Sequence, residues 1–187
     1  MTEMVIAGGG FAGLAAGLFL ARRGHVVTVV ERDGPPADGD ADADFDEWSR
    51  PGVPQARQSH ANRGRGHRVL LDEAPDVIEA LLARGVHEQQ IGIGAGDAPG
   101  EAMLSTRRLV TEAVLRRVVD CEPGVTVRSG DRVVGLVASG APGDRIVQGV
   151  RTVSGAVIAA RLMVDAGGRR SALPKWLGEL GARPILD

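Results

Sequence analysis

The chain has 187 residues, with 24 acidic and 22 basic side chains and a formal net charge of −2 at pH 7. That near balance gives no reason to expect a nucleic acid or an anionic membrane as a partner, and no apolar run reaches the 18 residues of a membrane span. A single cysteine, Cys121, excludes an internal disulfide framework and a cysteine-based metal cluster. We therefore expect a soluble, cytoplasmic protein.

A glycine-rich turn near the start of the chain is the strongest local signal. An apolar run at residues 3–8 leads into the spaced glycines Gly8, Gly10 and Gly13, and a helix is predicted over residues 11–23. The first glycine permits a tight turn, the second lets backbone N–H groups approach a pyrophosphate, and the third lets the helix pack close to the strand. The positive end of the helix then faces the anion.

The residues after this turn complete the pattern of a dinucleotide site. Phe11 and Ala12 begin the helix and are predicted to contact the same phosphates. A second strand at residues 26–31 ends on Glu31, where a carboxylate accepts hydrogen bonds from the ribose hydroxyls of adenosine. An ordinary strand–helix unit whose glycines serve only packing does not require an acid at that position. The ordered context therefore predicts a dinucleotide-binding unit.

Residues 33–47 differ in composition from their surroundings. They are acidic, contain Pro and Gly and have almost no large apolar side chains, which predicts a solvated loop. Aspartates at every second position from Asp40 superficially resemble a calcium-binding loop. Phe45 stands where that loop needs glycine, and Pro51 stands where it needs glutamate. We predict no metal site.

The middle of the chain is predicted to be mainly helical. The predicted elements are an extended, proline-stiffened loop at 48–60 and helices at 61–74, 76–84 and 105–120. Ser105 or Thr106 is the candidate N-cap of the last of these helices. The histidines His25, His67 and His87 belong to no constellation, and we expect them on the surface.

The last third of the chain is predicted to be mostly strands. Residues 125–128 give a third parallel strand, and three alternating runs within residues 132–160 give an antiparallel β-meander. A further buried strand at residues 162–165 precedes a final helix that carries Trp176. The fold class is therefore α/β, with a parallel sheet and an antiparallel meander.

Four stretches of this sequence resemble the FAD-dependent monooxygenases of the aromatic-hydroxylase type. They resemble more closely the actinobacterial FAD-dependent oxidoreductases of natural-product pathways. The stretches are the glycines at 8–13, the pair Glu31-Arg32, residues 107–117 and residues 165–171, and the loop at 51–60 also looks like the actinobacterial group. The resemblance implies a Rossmann-like FAD-binding domain over residues 1–187. Because members of the family are about twice as long, the fold is expected to stop before the substrate domain.

The resemblance also implies roles around the adenosine half of FAD. Glu31 would hold the ribose and Arg32 would lie along the adenine. Val133 or Val134 would touch the adenine through the backbone.

Further roles concern the pyrophosphate and the flavin ring. The arginine that would neutralise the pyrophosphate from the side opposite the glycine loop is Arg108, or its neighbour Arg107, although arginines on such a helix are commonly solvated. Asp165 would meet the ribityl or pyrophosphate region near Gly167, or would merely cap the following helix. The candidates that would border the isoalloxazine ring are Arg57 and His60.

The implied function is that of an FAD-binding oxidoreductase. It would be a flavin-dependent monooxygenase that uses NAD(P)H and oxygen on a small organic or natural-product substrate, with a second chain or a missing C-terminal half completing the fold. The catalytic residues are unknown. One alternative is an FAD-binding module or cyclase-type protein whose flavin is structural. Another is an NAD-binding Rossmann domain, which Glu31 suits equally well.

Overall fold

The computed structural model describes residues 1–36, 41–91, 101–141 and 144–182. Contacts within the chain divide it into two compact units, Met1–Gly34 with Val119–Asp187, and Pro35–Val118. The FAD-binding domain predicted over residues 1–187 stays a prediction. Among the described residues, none of the helices combines the length and the hydrophobicity that a membrane crossing requires.

A parallel sheet forms the centre of the first unit. With strands numbered in chain order, the strands of this sheet in the described residues are β1 (Glu3–Ala7), β2 (Val26–Glu31), β6 (Val125–Ser129) and β10 (Leu162–Asp165). Their order is β10-β1-β2-β6, and every neighbouring pair is parallel. Ala7 pairs with both Asp165 and Val30, so three strands end at the same edge. The predicted α/β fold with a parallel sheet is confirmed.

Helix α1 (Phe11–Arg22) packs on the sheet through its apolar residues. Leu14 and Leu18 are fully buried. A Cβ added to Gly17 would lie 3.1 Å from the side chain of Val29, so the helix backbone runs close to β2. Gly24 follows the helix with a φ of +81°, the left-handed conformation in which glycine commonly ends a helix.

An antiparallel meander packs against one face of the parallel sheet, and α1 packs against the other face. The strands of the meander are β7 (Val133–Ser139), β8 (Ile146–Thr152) and β9 (Val157–Ala159), and both pairings are antiparallel, as predicted. Val5, Ala7 and Val30 form one buried cluster with meander residues, whereas Ile6, Val27 and Val29 form another with residues of α1. This division follows from the period-two alternation of a strand. The unit closes with a short 3₁₀ helix at Gly168–Arg170 and helix α6 (Leu173–Glu179).

The second unit combines helices with a small antiparallel sheet. Its described elements are α2 (Ala41–Asp46), β3 (Ser59–Arg63), α3 (Arg65–Glu73), α4 (Pro75–Ala83), β4 (His87–Ile91), β5 (Glu101–Arg107) and α5 (Arg108–Cys121), whose last residues are counted with the first unit. The strand order is β3-β5-β4. Leu104 of β5 is fully buried, and so are Val77 and Leu81 of α4.

Two predicted helices begin later than the sequence indicated. Residues 61–63 and 105–107 were assigned to helices, but they pair with each other as strands, with Ala61 opposite Ser105 and His60 opposite Thr106. Ser105 and Thr106 therefore do not cap a helix, and α5 begins at Arg108. The pairing joins segments more than forty positions apart in the printed sequence. A local pattern carries no information about such a partner.

The acidic segment contains a helix where a solvated loop was predicted. Ala41–Asp46 is helical, and the side chain of Asp44 is fully buried. Arg117 donates two hydrogen bonds to its carboxylate, one of them over 2.7 Å, and Nη1 of Arg84 lies 3.4 Å away. Distant arginines thus compensate for the acidic composition that suggested a loop. Residues 37–40 of the predicted loop lie outside the described part of the chain.

Candidate cofactor site

Gly8 lies where β1 turns toward α1, and the structure requires a glycine there. Its φ is +107°, a conformation that side chains disfavour, and its N–H donates to the carbonyl of Val30 over 2.9 Å. An added Cβ would lie 2.6 Å from the carbonyl oxygen of Ala166, just beyond β10. The turn is therefore pressed against the ends of both neighbouring strands.

Gly13 is required for a different reason. A Cβ at this position would lie 1.9 Å from the carbonyl oxygen of Gly8. The first turn of α1 packs directly on the turn that precedes it, which is the role predicted for the third glycine of the motif.

Gly10 is the N-cap of α1, and its backbone alone does not demand glycine. Its φ of −76° and ψ of −177° are open to any residue. Within the described residues no side chain caps this helix, and its first turn, which includes Phe11 and Ala12, holds no acid. The first N–H groups of a helix have no partner inside the helix. They form a positive end that suits a phosphate.

Glu31 ends β2 beside this turn and is almost completely buried. Its Oε2 accepts a hydrogen bond from the N–H of Gly9 over 2.6 Å, and its Oε1 accepts one from the N–H of Asp33 over 2.8 Å. Two backbone donors thus fix the carboxylate in one orientation. A carboxylate oxygen can accept more than one hydrogen bond, which suits a ribose hydroxyl.

Arg32 follows this buried carboxylate in the chain. About half of its side chain is exposed, and its Nε lies 3.8 Å from Oδ1 of the buried Asp33. An exposed guanidinium can stack along a planar ring, and the role beside the adenine stays a prediction.

Asp165 ends β10 at the same edge of the sheet. Its Oδ1 accepts a hydrogen bond from the N–H of Gly167 over 3.0 Å, and the next residue, Ala166, donates to the carbonyl of Ala7 over 2.8 Å. The carboxylate is exposed and holds the turn that begins the 3₁₀ helix. The structure therefore places Asp165 and Gly167 next to the glycine turn, and this aspartate also organises its own loop.

A further acidic residue of the first unit, Asp131, lies just before strand β7. Asp131 donates its N–H to the carbonyl of Glu31 over 3.1 Å. Desolvation raises the pKa of its carboxyl, but hydrogen bonds from the hydroxyls of Ser154 and Thr152 and from the N–H groups of Arg132 and Ser154 outweigh this and lower the pKa to about 2.

Val133 and Val134, which were predicted to contact the adenine, are the first two residues of strand β7. Val133 is buried in the cluster between sheet and meander, whereas Val134 lies at a register shift of β7 and is partly exposed. A bulge leaves a backbone position outside the regular ladder. The adenine role of either residue stays a prediction.

Two of the predicted arginines hold helix α2 of the second unit. Arg57 donates to the carbonyls of Phe45 and Asp46 over 2.6 and 2.9 Å. The Nη2 of Arg107 lies 2.6 Å from Oδ1 of Asp42. Both guanidinium groups lie over the Phe45 ring, at 5.4 Å for Arg57 and 4.6 Å for Arg107. Their cofactor roles stay predictions.

Arg108 and His60 belong to a polar cluster of the second unit. The Nε of Arg108 lies 2.9 Å from Oε1 of the fully buried Glu112, and Nη2 of Arg50 lies 3.2 Å from Oε2 of Glu112. Desolvation and the charge of Arg108 lower the pKa of His60, against the opposing effect of Glu112. The pyrophosphate role of Arg108 stays a prediction.

Sequence reasoning missed Gly9 as a site residue. A Cβ on Gly9 would lie 2.8 Å from Cβ of Glu31, so only glycine lets its N–H reach the carboxylate. The signal was present in the sequence, because Gly9 is the middle of three consecutive glycines and the motif requires no glycine there. Asp44 was also missed, because its arginine partners are distant in sequence.

Comparisons with known proteins agree with this geometry. The family described as FAD dependent oxidoreductase matches residues 3–87, which include the glycine turn and Glu31. The amino-terminal part of the chain is similar to FAD-dependent oxidoreductases. A search of functionally characterised proteins found no matching sequence. The cofactor that the match supports is FAD, and the uncapped helix end beside a fixed carboxylate fits its ADP half.

Solved structures share the fold. PqsL from Pseudomonas aeruginosa, described as a probable FAD-dependent monooxygenase, superposes with a TM-score of 0.70 at 20% identity over 98% of this chain and 48% of its own. THI4 from Thermovibrio ammonificans gives 0.62 at 22% identity, over 95% of this chain and 62% of its own. The Diels-Alderase PyrE3 of pyrroindomycin biosynthesis superposes with a TM-score of 0.66 at 18% identity, over 95% of this chain and 35% of its own. The chain thus spans between a third and two thirds of these structures.

Proposed function

We propose that this chain binds FAD through its first unit and forms the FAD-binding part of a flavin-dependent monooxygenase. The observation that carries the proposal is the pairing of an uncapped helix end at Gly10 with the carboxylate of Glu31, whose orientation two backbone donors fix. The first suits a diphosphate and the second suits a ribose. The family match over residues 3–87 supports the same cofactor.

The roles of the residues follow from their positions. The first turn of α1 would hold the diphosphate, Glu31 would hold the adenosine ribose, and Asp165 would lie near the ribityl chain. Arg57, Arg107 and Arg108 are proposed as further cofactor contacts, and Val133 or Val134 as the adenine contact. When bound, the flavin itself supplies the redox chemistry, and the protein supplies binding, orientation and electrostatics.

We propose NAD(P)H as the reductant and a small organic or natural-product molecule as the substrate. The similarity in fold to PqsL supports the monooxygenase assignment. The chain spans 48% of PqsL. We propose that further residues, from the same polypeptide or from a partner chain, complete the substrate cavity. The proposed compartment is the cytoplasm, since the single cysteine calls for no oxidising environment.

A binding experiment tests the cofactor assignment. The purified chain is titrated with FAD, ADP and FMN, and binding is followed by calorimetry and by flavin fluorescence. FAD and ADP should bind and compete with each other, while FMN, which lacks the adenosine half, should bind at least tenfold more weakly. Equal binding of FMN and FAD, or no binding of FAD, would contradict the proposal. Tighter binding of NADH than of FAD would favour an NAD-binding domain.

A second candidate is a flavin-binding protein without redox turnover. The observation that favours it is the similarity in fold to PyrE3, which is described as a Diels-Alderase. Anaerobic addition of NADPH to the FAD-loaded chain separates the two candidates. Bleaching of the flavin absorbance supports the oxidoreductase, and an unchanged spectrum supports the structural flavin.

A further inference from the structure

A pocket of about 320 Å³ is formed by residues of the second unit alone. Its lining comes from the start of α3 and from strands β4 and β5, and consists of Gly64, His67, Arg68, Leu71, Glu88 and Ala102. Its volume lies at the lower end of the range for small-molecule sites. The proposed FAD chemistry makes no use of this pocket.

His67 is the unexpected residue of the lining. The sequence predicted a surface histidine, but the side chain is only 2% exposed. Within the described residues its Nε2 has no hydrogen-bond partner. The carboxylate oxygen Oε1 of Glu88 lies 3.3 Å from Nε2, yet the two atoms are not aligned for a hydrogen bond. A buried polar atom without a partner is uncommon in proteins and is often completed by a ligand or water.

The two atoms together suit a ligand that donates hydrogen bonds. An imidazole that carries its hydrogen on Nδ1 presents Nε2 as an acceptor, and a carboxylate accepts only. An ammonium group placed before both atoms could donate to each of them, and its charge would offset that of Glu88. The side chain of Glu88 is 42% exposed, so this end of the pocket is accessible.

The remaining polar groups of the pocket suit an anion. Arg68 makes no ion pair or side-chain hydrogen bond in the described part of the chain. Gly64 is the N-cap of α3, whose first turn has no side-chain cap and no acid. A guanidinium beside a positive helix end is a favourable environment for a carboxylate. Leu71 and Ala102 supply apolar surface between the two polar ends.

We propose that this pocket binds a small α-amino acid. His67 and Glu88 hold its ammonium group, Arg68 and the first turn of α3 hold its carboxylate, and its side chain packs on Leu71 and Ala102. Neither the family match nor the proposed flavin chemistry assigns a ligand here.

Three matched probes test this proposal by calorimetry on the purified chain. L-leucine carries both charged groups, 4-methylpentanoate lacks the ammonium and 3-methylbutylamine lacks the carboxylate. L-leucine should bind, and each analogue should bind at least tenfold more weakly. Equal binding of all three probes, or no binding of L-leucine at millimolar concentration, would overturn the proposal.

Two variants assign the groups separately. Glu88→Gln should weaken the binding of L-leucine and of 3-methylbutylamine at least tenfold and leave the binding of 4-methylpentanoate unchanged. Arg68→Gln should weaken the binding of L-leucine and of 4-methylpentanoate and leave the binding of 3-methylbutylamine unchanged. Both side chains are accessible, so both variants should fold. Arg145→Gln, at an exposed position of the first unit outside the lining, is the matched control and should change nothing. An effect of Arg145→Gln as large as that of Arg68→Gln would reject the assigned carboxylate site.

Discussion

The N–H of Gly9 donates to Oε2 of Glu31 over 2.6 Å, and the two residues pack so closely that a side chain on Gly9 would collide with the glutamate. The loop that is to hold the diphosphate and the carboxylate that is to hold the ribose are therefore one hydrogen-bonded unit. Orientation of Glu31 depends on the shape of the glycine turn. A change at either residue should affect both stability and cofactor binding.

Replacement of Glu31 by glutamine should weaken FAD binding and destabilise the first unit. A glutamine oxygen can satisfy only one of the N–H groups of Gly9 and Asp33, and its amide hydrogens face the other. We expect a loss of about 1–3 kcal/mol in the free energy of unfolding and at least about a tenfold loss in FAD affinity. Urea unfolding and fluorescence titration measure the two effects. Glu179→Gln, at an exposed position, should change neither.

The change Gly13→Ala should destabilise the fold through steric overlap. The new methyl group would lie 1.9 Å from the Gly8 carbonyl oxygen, so α1 must move away from the turn. We expect a cost of about 1–3 kcal/mol in the free energy of unfolding. Gly178→Ala, in a helix where an added Cβ meets nothing within 4 Å, should be neutral or slightly stabilising. Equal midpoints for the two variants in thermal unfolding would refute the proposed contact.

A bulky side chain at Gly10 should separate folding from cofactor binding. Because the φ of −76° suits any residue, Gly10→Val should change the free energy of unfolding by no more than about 1 kcal/mol. The side chain would stand in front of the helix end, and FAD affinity should fall at least about tenfold. Calorimetric titration with FAD and a thermal melt of the same sample give both values. Retained affinity would show that the diphosphate lies elsewhere.

Replacement of Asp44 should destabilise the second unit far more than replacement of its neighbour Asp42. Asp44 is fully buried and pairs with Arg117 and Arg84, whereas the side chain of Asp42 is 76% exposed in its pair with Arg107. Asp44→Asn should cost about 3 kcal/mol in the free energy of unfolding because it leaves buried arginine contacts uncompensated. Asp42→Asn should cost less than about 1 kcal/mol. Limited proteolysis and urea unfolding report the difference.

The pH dependence of stability should carry a contribution from Asp131. Its pKa is lowered from 3.8 to about 2 in the folded protein, so folding favours the ionised form. The stabilisation is complete above the unfolded pKa near 3.8 and is lost as the pH falls through about 2. Carboxyl carbon NMR should show this low titration midpoint in the native chain, and Ser154→Ala should raise it. A midpoint at or above 3.8 would contradict the hydrogen-bonded arrangement.

The sequence alone was sufficient for the elements whose signals are local. The glycine turn, the helix after it and the strand that ends at Glu31 lie within the first 31 residues, and their order has one common structural solution. The meander was also predictable, because its three strands follow one another through short turns. The apolar runs of β1 and β2 are continuous, so the sequence indicated strands there but not which side chains face α1 and which face the meander.

Tertiary structure decided the features that depend on distant partners. The β3–β5 pairing, the burial of Asp44 against Arg117 and the burial of His67 beside Glu88 each join segments about 20 or more residues apart. The acidic composition predicted a solvated loop, because the local sequence cannot reveal that distant arginines pair with Asp44. Sequence determined which residues could meet a dinucleotide. Only long-range packing decided the orientation of Glu31. It also decided that the acidic segment is held by the buried ion pair of Asp44 with Arg117.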